Sequence, residues 1–413
     1  MARVNIDDLQ TGMVLAGDVL GKNGRLLLAG GTVLEPRHLR VLRIWGASEV
    51  AVAEAVSGPA AALSPAGLEG EGDRYAAARA FLEPRFAIAD RTQPAMAALF
   101  DACLRELAES EACLLPPTPP EASGAAALPP DAPADVPADP GTLVTDDPSL
   151  ASFPDIYFRL RDAIDDPRTS AGQIADIIGT DPGLAATLLR LANSPFYGLS
   201  RPIDSLARGV LLIGAGELAQ LALGVSVVER FRDIPSGCLN MRQTWEHAVG
   251  CGALARILAA HIGGLPQEQL FVAGLLHDLG RLVLMRRLPR HMARAIALAR
   301  ERRTPLATAE RAVFGYDHAA VGRTLLAHWR LPPALAVAVG GHHGGPDTAL
   351  DAAIVHVADV MTVAAGFGSN GSPLVPPLAE TAWTALGLEP GLVPVVLSQA
   401  RRQVGDIVSS LLG

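Results

Sequence analysis

An imidazole and a carboxylate stand side by side in the apolar run Gly274-Leu275-Leu276-His277-Asp278-Leu279-Gly280-Arg281-Leu282-Val283-Leu284. Apolar residues surround the predicted helix on nearly all sides, so His277 and Asp278 cannot both reach water cheaply. A buried polar group without a partner costs free energy, whereas a divalent metal satisfies a carboxylate and an imidazole together. The chain must therefore fold so that other segments bring partners to this pair.

Further helical segments also place histidine or aspartate among apolar residues. The side chains concerned are His247, His318, His342, His343 and Asp359, with His356 one turn before Asp359. One such histidine alone is usually an ordinary core or surface residue, so the inference rests on the collective pattern. Neighbours on a helix diverge by about 100°, which lets His277 and Asp278 take adjacent positions around one ion.

The pattern predicts a divalent metal site. Imidazole and carboxylate groups together are the ligands of Fe, Mn, Zn or Mg-like ions, and the histidine count allows one or two ions. The predicted metal ligands are His247, His277, Asp278, His318, His342, His343 and Asp359. If the site exists, the side chains of His247, His277, Asp278 and Asp359 should converge within about 5 Å of one point, because metal bonds are about 2.0 to 2.2 Å long.

Three positions leave alternatives open. His318 follows the N-cap residue Asp317, so it lies in a first turn where free backbone N–H groups also favour an anion such as phosphate. Arg281, one turn after His277, is either a phosphate contact or a charge near a helix C-terminus. The pair His342-His343 ends another helix among glycines, where it either faces a cavity or lies on the surface.

The chain from residue 149 to 413 is helical in pattern. Asp181-Pro182 begins one helix and Asn193-Ser194-Pro195 ends it, and few strand signals interrupt the helices that follow. The sequence therefore predicts a mainly α fold with an all-helical bundle in this region.

The first part of the chain has a different organisation. Residues 1–56 alternate short apolar runs with glycine turns, which predicts a small β-rich module with one helix over 35–46. Residues 73–113 predict a helical hairpin whose apolar stripe packs on a neighbouring element or on the second copy in a homodimer. Residues 114–148 are rich in proline, alanine and acidic residues, which predicts an interdomain linker.

Composition limits the partners and the compartment. The net charge is −9, and no basic stripe appears along any helix, so we expect no nucleic-acid partner. No signal-peptide core and no run of about 18 apolar residues is present, so we expect a soluble, cytoplasmic protein without membrane contact. The four cysteines lack a C-x-x-C spacing, which argues against a zinc knuckle or a disulfide framework.

The ordered array of histidines and aspartates resembles the HD superfamily of metal-dependent phosphohydrolases. From about residue 150 to the C-terminus, the chain more closely resembles the HDOD branch, the HD-related output domain of bacterial signalling proteins. The segments that carry this resemblance are 153–154, 174–184, 191–198, 318–322 and 329–332. The resemblance implies an all-helical bundle and a regulatory role with no generally established reaction. The 1–56 segment also looks like the small module ahead of some HDOD and HD-GYP proteins.

The sequence departs from the related HD-GYP phosphodiesterases, which degrade cyclic di-GMP. Those enzymes carry the signature H-H-E-x-x-D-G-x-G-Y-P, whereas here His342-His343 is followed directly by Gly344-Gly345-Pro346. Arg281 stands where those enzymes usually place a lysine. The retained ligand positions therefore favour a bound metal more strongly than they favour turnover.

Three functions are compatible with these features. The leading hypothesis is a bacterial signal-transduction protein with a metal-binding HDOD domain and a signalling protein as its partner. The second is an active phosphohydrolase for a nucleotide or cyclic dinucleotide, in which the catalytic residues would be Asp278, His318 and Arg281. The third is a metal-free interaction scaffold.

Overall fold

The computed structural model describes residues 2–5, 19–20, 26–28, 49–52, 71–109, 136–194, 197, 202–232, 234, 239–345, 348–372 and 374–412 of the 413-residue chain. Its contacts divide the chain into two compact units. The first comprises Met1–Glu69 and Asn193–Ile203, and the second comprises Gly70–Ala192 and Asp204–Gly413. The helical pair predicted over 73–113 thus belongs to the same unit as the predicted helical bundle.

The first unit contains four short strands among its described residues. Strand β1 (Ala2–Asn5) pairs antiparallel with β4 (Glu49–Val52), and β2 (Val19–Leu20) pairs antiparallel with β3 (Leu26–Leu28). These strands do not by themselves establish the predicted β-rich module of residues 1–56. The helix predicted over 35–46 lies outside the described residues.

The second unit is helical throughout its described residues, so the prediction of a mainly α fold is confirmed there. Its helices are α1 (Glu71–Arg85), α2 (Pro94–Glu109), α3 (Pro140–Thr145), α4 (Asp155–Asp165), α5 (Ala171–Gly179), α6 (Pro182–Ala192), α7 (Leu206–Ile213), α8 (Ala215–Phe231), α9 (Met241–Ile262), α10 (Gln267–Leu276), α11 (Leu279–Arg287), α12 (Pro289–Arg302), α13 (Leu306–Phe314), α14 (His318–His328), α15 (Pro333–Gly341), α16 (Leu350–Ala365), α17 (Glu380–Leu386) and α18 (Val393–Leu412), with 3₁₀ turns at Pro148–Leu150 and Pro390–Leu392.

Short polar side chains set where many of these helices begin. Ser170 and Gln173 form a reciprocal capping box at the start of α5. Asp181, the N-cap expected from the sequence, accepts hydrogen bonds from the backbone N–H groups of Gly183 and Leu184, each at 3.0 Å. Such a cap typically contributes about 1 kcal/mol to helix stability, so local sequence fixes these boundaries.

The end of the predicted linker is folded. Asp139 accepts a hydrogen bond from Gly141 N at 2.9 Å and begins α3, whose Leu143 and Val144 are buried. Asp147 caps the following 3₁₀ turn in the same way, through Ser149 N at 2.9 Å. The linker predicted over 114–148 is therefore corrected at its C-terminal end, because an Asp-Pro pair starts a helical turn at each of these two places. Residues 110–135 lie outside the described part.

His247, His277, Asp278 and Asp359 lie where α9 packs against α10 and α16. A Cβ placed at Gly274 would lie 2.8 Å from the backbone N of Gly252, so only glycine allows α9 and α10 to approach this closely. The sequence suggested that the pair His277-Asp278 lies inside one continuous helix, but in the structure it does not. It forms the junction between α10 and α11, where the backbone of Asp278 leaves the helical conformation.

None of the described helices is by itself long and apolar enough to cross a membrane. The pair α7 and α8, bent by 116° at its break, meets the length and composition requirements only when the two helices are taken together.

Candidate metal centre

Four predicted ligands from three places in the fold meet in one buried cluster, which we call the first cluster: His247 on α9, His277 and Asp278 at the α10–α11 junction, and Asp359 on α16. Nε2 of His247 lies 3.1 Å from Oδ1 of Asp359 and 3.2 Å from Nε2 of His277. Nε2 of His277 lies 3.5 Å from Oδ2 of Asp278. All four residues are at most 5% exposed, so no bulk water satisfies these atoms.

The backbone fixes which ring nitrogen of His277 faces the first cluster. Nδ1 of His277 lies 2.6 Å from the carbonyl oxygen of Gly274, an arrangement in which Nδ1–H donates. Nε2 therefore faces the carboxylates of Asp278 and Asp359 and the imidazole of His247. Burial opposes a charge on this ring, but Asp278 outweighs it and raises the pKa of His277 well above the usual value, so these groups favour a cation between them, either the proton on Nε2 or a metal ion.

A buried oxygen atom without a hydrogen-bond partner is a second reason to expect a cation in the first cluster. Oδ1 of Asp359 is buried without a hydrogen-bond partner, although Nε2 of His247 lies 3.1 Å away. Ligand atoms from His247, His277 and Asp359 lie within 4.8 Å of one another, and so do atoms from His277, Asp278 and His342. Two imidazoles and two carboxylates suit Fe, Mn or Zn, so the residues present fit a divalent metal.

The other three predicted ligands form a second cluster, made of His318, His342 and His343. Nε2 of His318 lies 3.2 Å from Nε2 of His342, and the rings of His342 and His343 have centroids 4.0 Å apart. Nδ1 of His342 faces the carbonyl oxygen of Val339 at 2.6 Å, which again leaves Nε2 free to accept. The two clusters are joined through Asp278, whose Oδ1 lies 3.0 Å from Nε2 of His318.

Arg281 and Glu310 form a buried ion pair beside both clusters. Nε of Arg281 donates to Oε1 of Glu310 at 3.1 Å, and Nη1 of Arg281 donates to Oδ2 of Asp278. Nη2 of Arg281 lies 3.0 and 3.1 Å from the two ring nitrogens of His318. The guanidinium therefore lies between Asp278 and His318 and is only 2% exposed.

Glu310 on α13 was missed in the sequence. Its Oε2 accepts a hydrogen bond from His318 N at 3.0 Å and a second from the His318 ring. In the sequence it stands next to Arg311 in an amphipathic helix, which resembles an ordinary exposed charge pair. Its position eight residues before His318 was the only available signal, and that spacing has no special meaning within a helix.

The electrostatics keep the carboxylates of this region ionised. Burial alone would raise the pKa of Glu310, but His318 and Arg281 outweigh it and lower that pKa to about 2. Burial likewise opposes ionisation of Asp278, yet Arg281 and His277 hold its pKa well below the usual value. Burial lowers the pKa of His342 to about 3, and His277 adds to that effect, so His342 is neutral at pH 7. Carboxylates bind metals in their ionised form and imidazoles in their neutral form, so metal binding at His277, whose pKa Asp278 raises well above the usual value, would release a proton.

His356 lies outside both clusters. Its Nδ1 faces the carbonyl oxygen of His342 at 2.9 Å, and its Nε2 accepts a hydrogen bond from Ala379 N at 3.0 Å. Both ring nitrogens are thus used to hold backbone segments. His356 supports the turn that carries His342 and supplies no ligand.

The described fold and site can be compared with known proteins. Residues 150–344 match the family model of the HDOD domain. Most of the matched residues belong to the helical unit. Six of the seven predicted ligands lie within the match, whereas Asp359 follows it on α16.

Solved structures share the fold of the helical region. An HDOD domain protein with unknown function from Geobacter sulfurreducens is 24% identical, with a TM-score of 0.53, and the alignment covers 66% of this chain and 96% of that one. A protein from Shewanella amazonensis SB2B named "Putative phosphohydrolase" is 21% identical, with a TM-score of 0.51 and coverage of 65% and 98%. At these identities the likeness concerns the fold alone.

One curated relative also matches. An uncharacterized protein of Treponema pallidum (strain Nichols) is 26% identical over 198 residues, which is 48% of this chain. The match spans 38% of the length of that relative. The relative thus shares a region of the chain and carries no assigned activity.

Proposed function

We propose that this protein is a signal-transduction or regulatory protein whose HDOD domain holds one divalent metal ion in the first cluster. The observation that carries the proposal is the orientation of His277, whose Nδ1 is engaged by Gly274 O so that Nε2 faces Asp278, Asp359 and His247. A metal ion bound there would replace the proton on Nε2 and be coordinated by these groups.

Arg281 is the reason for proposing one ion. In a two-metal site, ions about 3.5 to 4 Å apart share bridging ligands. Here the guanidinium of Arg281 already contacts Asp278, the carboxylate that would bridge two ions, and His318, which would bind an ion in the second cluster. Because an arginine side chain stays protonated, a dication beside it would meet unscreened repulsion in a buried space.

The metal would act as a Lewis acid that polarises a bound oxygen. The residues of this chain would hold it and orient its surroundings. Asp278 would serve both the metal and Arg281, while Glu310 fixes the ring of His318 through two hydrogen bonds. This arrangement gives a rigid metal site whose neighbouring cation is part of the protein.

A second candidate function is metal-dependent phosphohydrolysis. The observation that favours it is the pair His318–Glu310 beside Asp278, because a histidine held by a buried carboxylate can transfer protons. The name of the Shewanella amazonensis protein points in the same direction. Against it, the guanidinium of Arg281 is occupied by protein groups and has little exposure for a phosphate.

Metal analysis tests the proposal directly. The full-length protein, saturated with Mn or Fe and passed over a desalting column, should retain one ion per chain. Asp278→Asn should lose it, because the variant removes one ligand charge and keeps the shape. Asp176→Asn, which changes an exposed aspartate on α5, should retain one ion. A folded wild-type protein without stoichiometric metal would overturn the proposal.

Turnover separates the two candidate functions. The metal-loaded protein is incubated with cyclic di-GMP and with bis(p-nitrophenyl) phosphate, a generic phosphodiester. The regulatory function predicts hydrolysis no faster than that of Asp278→Asn. Hydrolysis that is lost in Asp278→Asn and kept in Asp176→Asn would replace the regulatory function with the enzymatic one.

A further inference from the structure

A cavity of about 660 Å³ lies within the helical unit, beside α9 and between the α1–α2 hairpin and the end of α16. Its walls come from α1, α2, α9, α16, the segment after α16, and α18. The residues that line it include Phe81, Leu82, Arg85, Leu107, His247 and Asn370. Its volume falls in the range of small-molecule sites in proteins, which are commonly about 300 to 1,000 Å³.

The cavity is formed mostly by segments outside the HDOD match. Of its lining residues, only Gln243 and His247 lie within residues 150–344. The others come from the hairpin before the match or from the chain after residue 344. The cavity is therefore built from what this chain adds to the HDOD domain.

Arg85 gives the cavity an unbalanced positive charge. Its Nη2 donates to the carbonyl oxygen of Val363 at 2.7 Å, but no carboxylate of the described residues forms an ion pair with it. Burial accordingly lowers the pKa of Arg85, because no anion compensates its loss of hydration. The other lining arginine, Arg401, is paired with Glu106 and donates to Ala365 O at 2.7 Å.

The rest of the wall combines apolar and polar groups. Phe81, Leu82 and Leu107 supply apolar surface. Phe81 is 36% exposed, and the guanidinium of Arg85 lies over its ring, 5.5 Å from the ring centroid. Gln243 and Asn370 add side-chain amides that can donate or accept. A site with an apolar wall and one uncompensated guanidinium suits a ligand with an apolar portion and one anionic group.

We propose that this cavity binds a small organic anion, whose carboxylate or phosphate pairs with Arg85 while its apolar portion packs against Phe81 and Leu82. The ligand would supply the anionic partner that the half-buried guanidinium of Arg85 lacks among the described residues. The proposal does not rest on a metal ion in the first cluster.

Three matched pairs of probes test the chemistry. Phenylacetate is compared with phenylacetamide, octanoate with octanamide, and adenosine 5′-monophosphate with adenosine, by isothermal titration of the full-length protein. At least one acid should bind with one site per chain at concentrations up to about 1 mM, and its uncharged counterpart should bind at least about tenfold more weakly. If no acid binds, or if acids and uncharged counterparts bind alike, the proposal is wrong.

Variants then place the binding acid in the cavity. Arg85→Gln should weaken its binding at least about tenfold, since a charge-assisted hydrogen bond is lost, and Arg85→Lys should recover part of the affinity. Arg168→Gln, which changes an arginine whose side chain is 89% exposed, is the matched control and should bind as wild type does. Equal affinity of wild type and a folded Arg85→Gln would overturn the proposal.

A cavity-filling variant guards against a folding defect in Arg85→Gln. Leu107→Trp adds volume to the wall without changing charge and should reduce binding at least about tenfold while circular dichroism stays that of wild type. If Leu107→Trp binds the acid as tightly as wild type does, the acid lies elsewhere and the assignment fails.

Discussion

Glu310 has the strongest structural role among the residues that the sequence did not single out. It is fully buried and contacts Arg281 and His318, two groups that the sequence did select. Breaking a buried ion pair by removing one partner leaves the other charge uncompensated. The arrangement of the site thus depends on Glu310, a residue that was not predicted and whose contact among the predicted metal ligands is His318.

Replacement of Glu310 by leucine should destabilise the metal-free protein by about 3 to 5 kcal/mol, because Arg281 would stay buried without its carboxylate. Urea unfolding followed by circular dichroism measures this change. Glu301→Leu, at an exposed position on α12, is the control and should stay within about 0.5 kcal/mol of wild type. A similar small effect of both variants would show that Glu310 is dispensable.

Buried cysteines give a prediction about pH. Burial raises the pKa of the Cys103 thiol to about 12, and the charge of Glu106 adds to that effect; burial also raises the pKa of Cys251. Because the thiolate is the reactive form, iodoacetamide should label neither residue appreciably between pH 7 and 9. Peptide mass spectrometry measures labelling against the same protein unfolded in guanidinium chloride. Rapid native labelling of Cys103 would contradict the burial.

At the residue scale, the sequence was most informative where a polar side chain interrupts an apolar run. His247, His277, Asp278 and Asp359 stand out for this reason, and the structure brings their side chains together. Arg281 also stands out, but its partner Glu310 does not, so the phosphate contact expected of Arg281 stays a prediction. A charge in an amphipathic helix gives no sign of whether it faces water or a buried arginine.

At the element scale, the site depends on where helices touch through glycine. Gly280 on α11 faces Gly322 and the carbonyl of His318 on α14, and a Cβ at Gly280 would overlap both. This contact brings Asp278 beside His318. The sequence shows the glycines but not which helices they join, because pairing between elements depends on the complete fold.

Gly280→Ala should destabilise the protein by at least about 2 kcal/mol and weaken metal binding, since α11 and α14 must separate to admit the methyl group. Thermal unfolding and metal titration measure the two effects. Gly179→Ala on α5 is the matched control, because a Cβ there has no atom within 4 Å. It should leave metal binding unchanged and shift stability by no more than about 1 kcal/mol. Equal behaviour of both variants would refute the importance of this contact.

At the scale of the whole molecule, the sequence predicted the helical fold of the second unit, whereas the predicted division into domains stays a prediction. The sequence did not predict that the α1–α2 hairpin packs with α16 and α18 in one compact unit. An apolar stripe predicts that one face of a helix is covered, but it does not predict which element covers that face. For the same reason, the cavity beside Arg85 could not be inferred from patterns along the chain.

Metal binding should stabilise the whole helical unit. A ligand at about 100 times its dissociation constant adds about 2.7 kcal/mol to the free energy of unfolding, which corresponds to roughly 3 °C in Tm for a chain of this size. Differential scanning fluorimetry with Mn or Fe should show this rise for wild type and Asp176→Asn. Asp278→Asn should show little change, and an equal rise in all three proteins would contradict a site at Asp278.

His247 contributes to two sites. Its imidazole faces the first cluster, and the residue also lines the cavity. Arg85 strengthens this connection by binding Val363 O, one helical turn after Asp359. Two sites that share structural elements can exchange free energy, and such coupling is reciprocal. If a cavity ligand changes the affinity for the metal by some factor, the metal must change the affinity for that ligand by the same factor. A change in metal occupancy would then change the affinity of the cavity for its ligand. Binding of that ligand would likewise change the affinity of the first cluster for the metal.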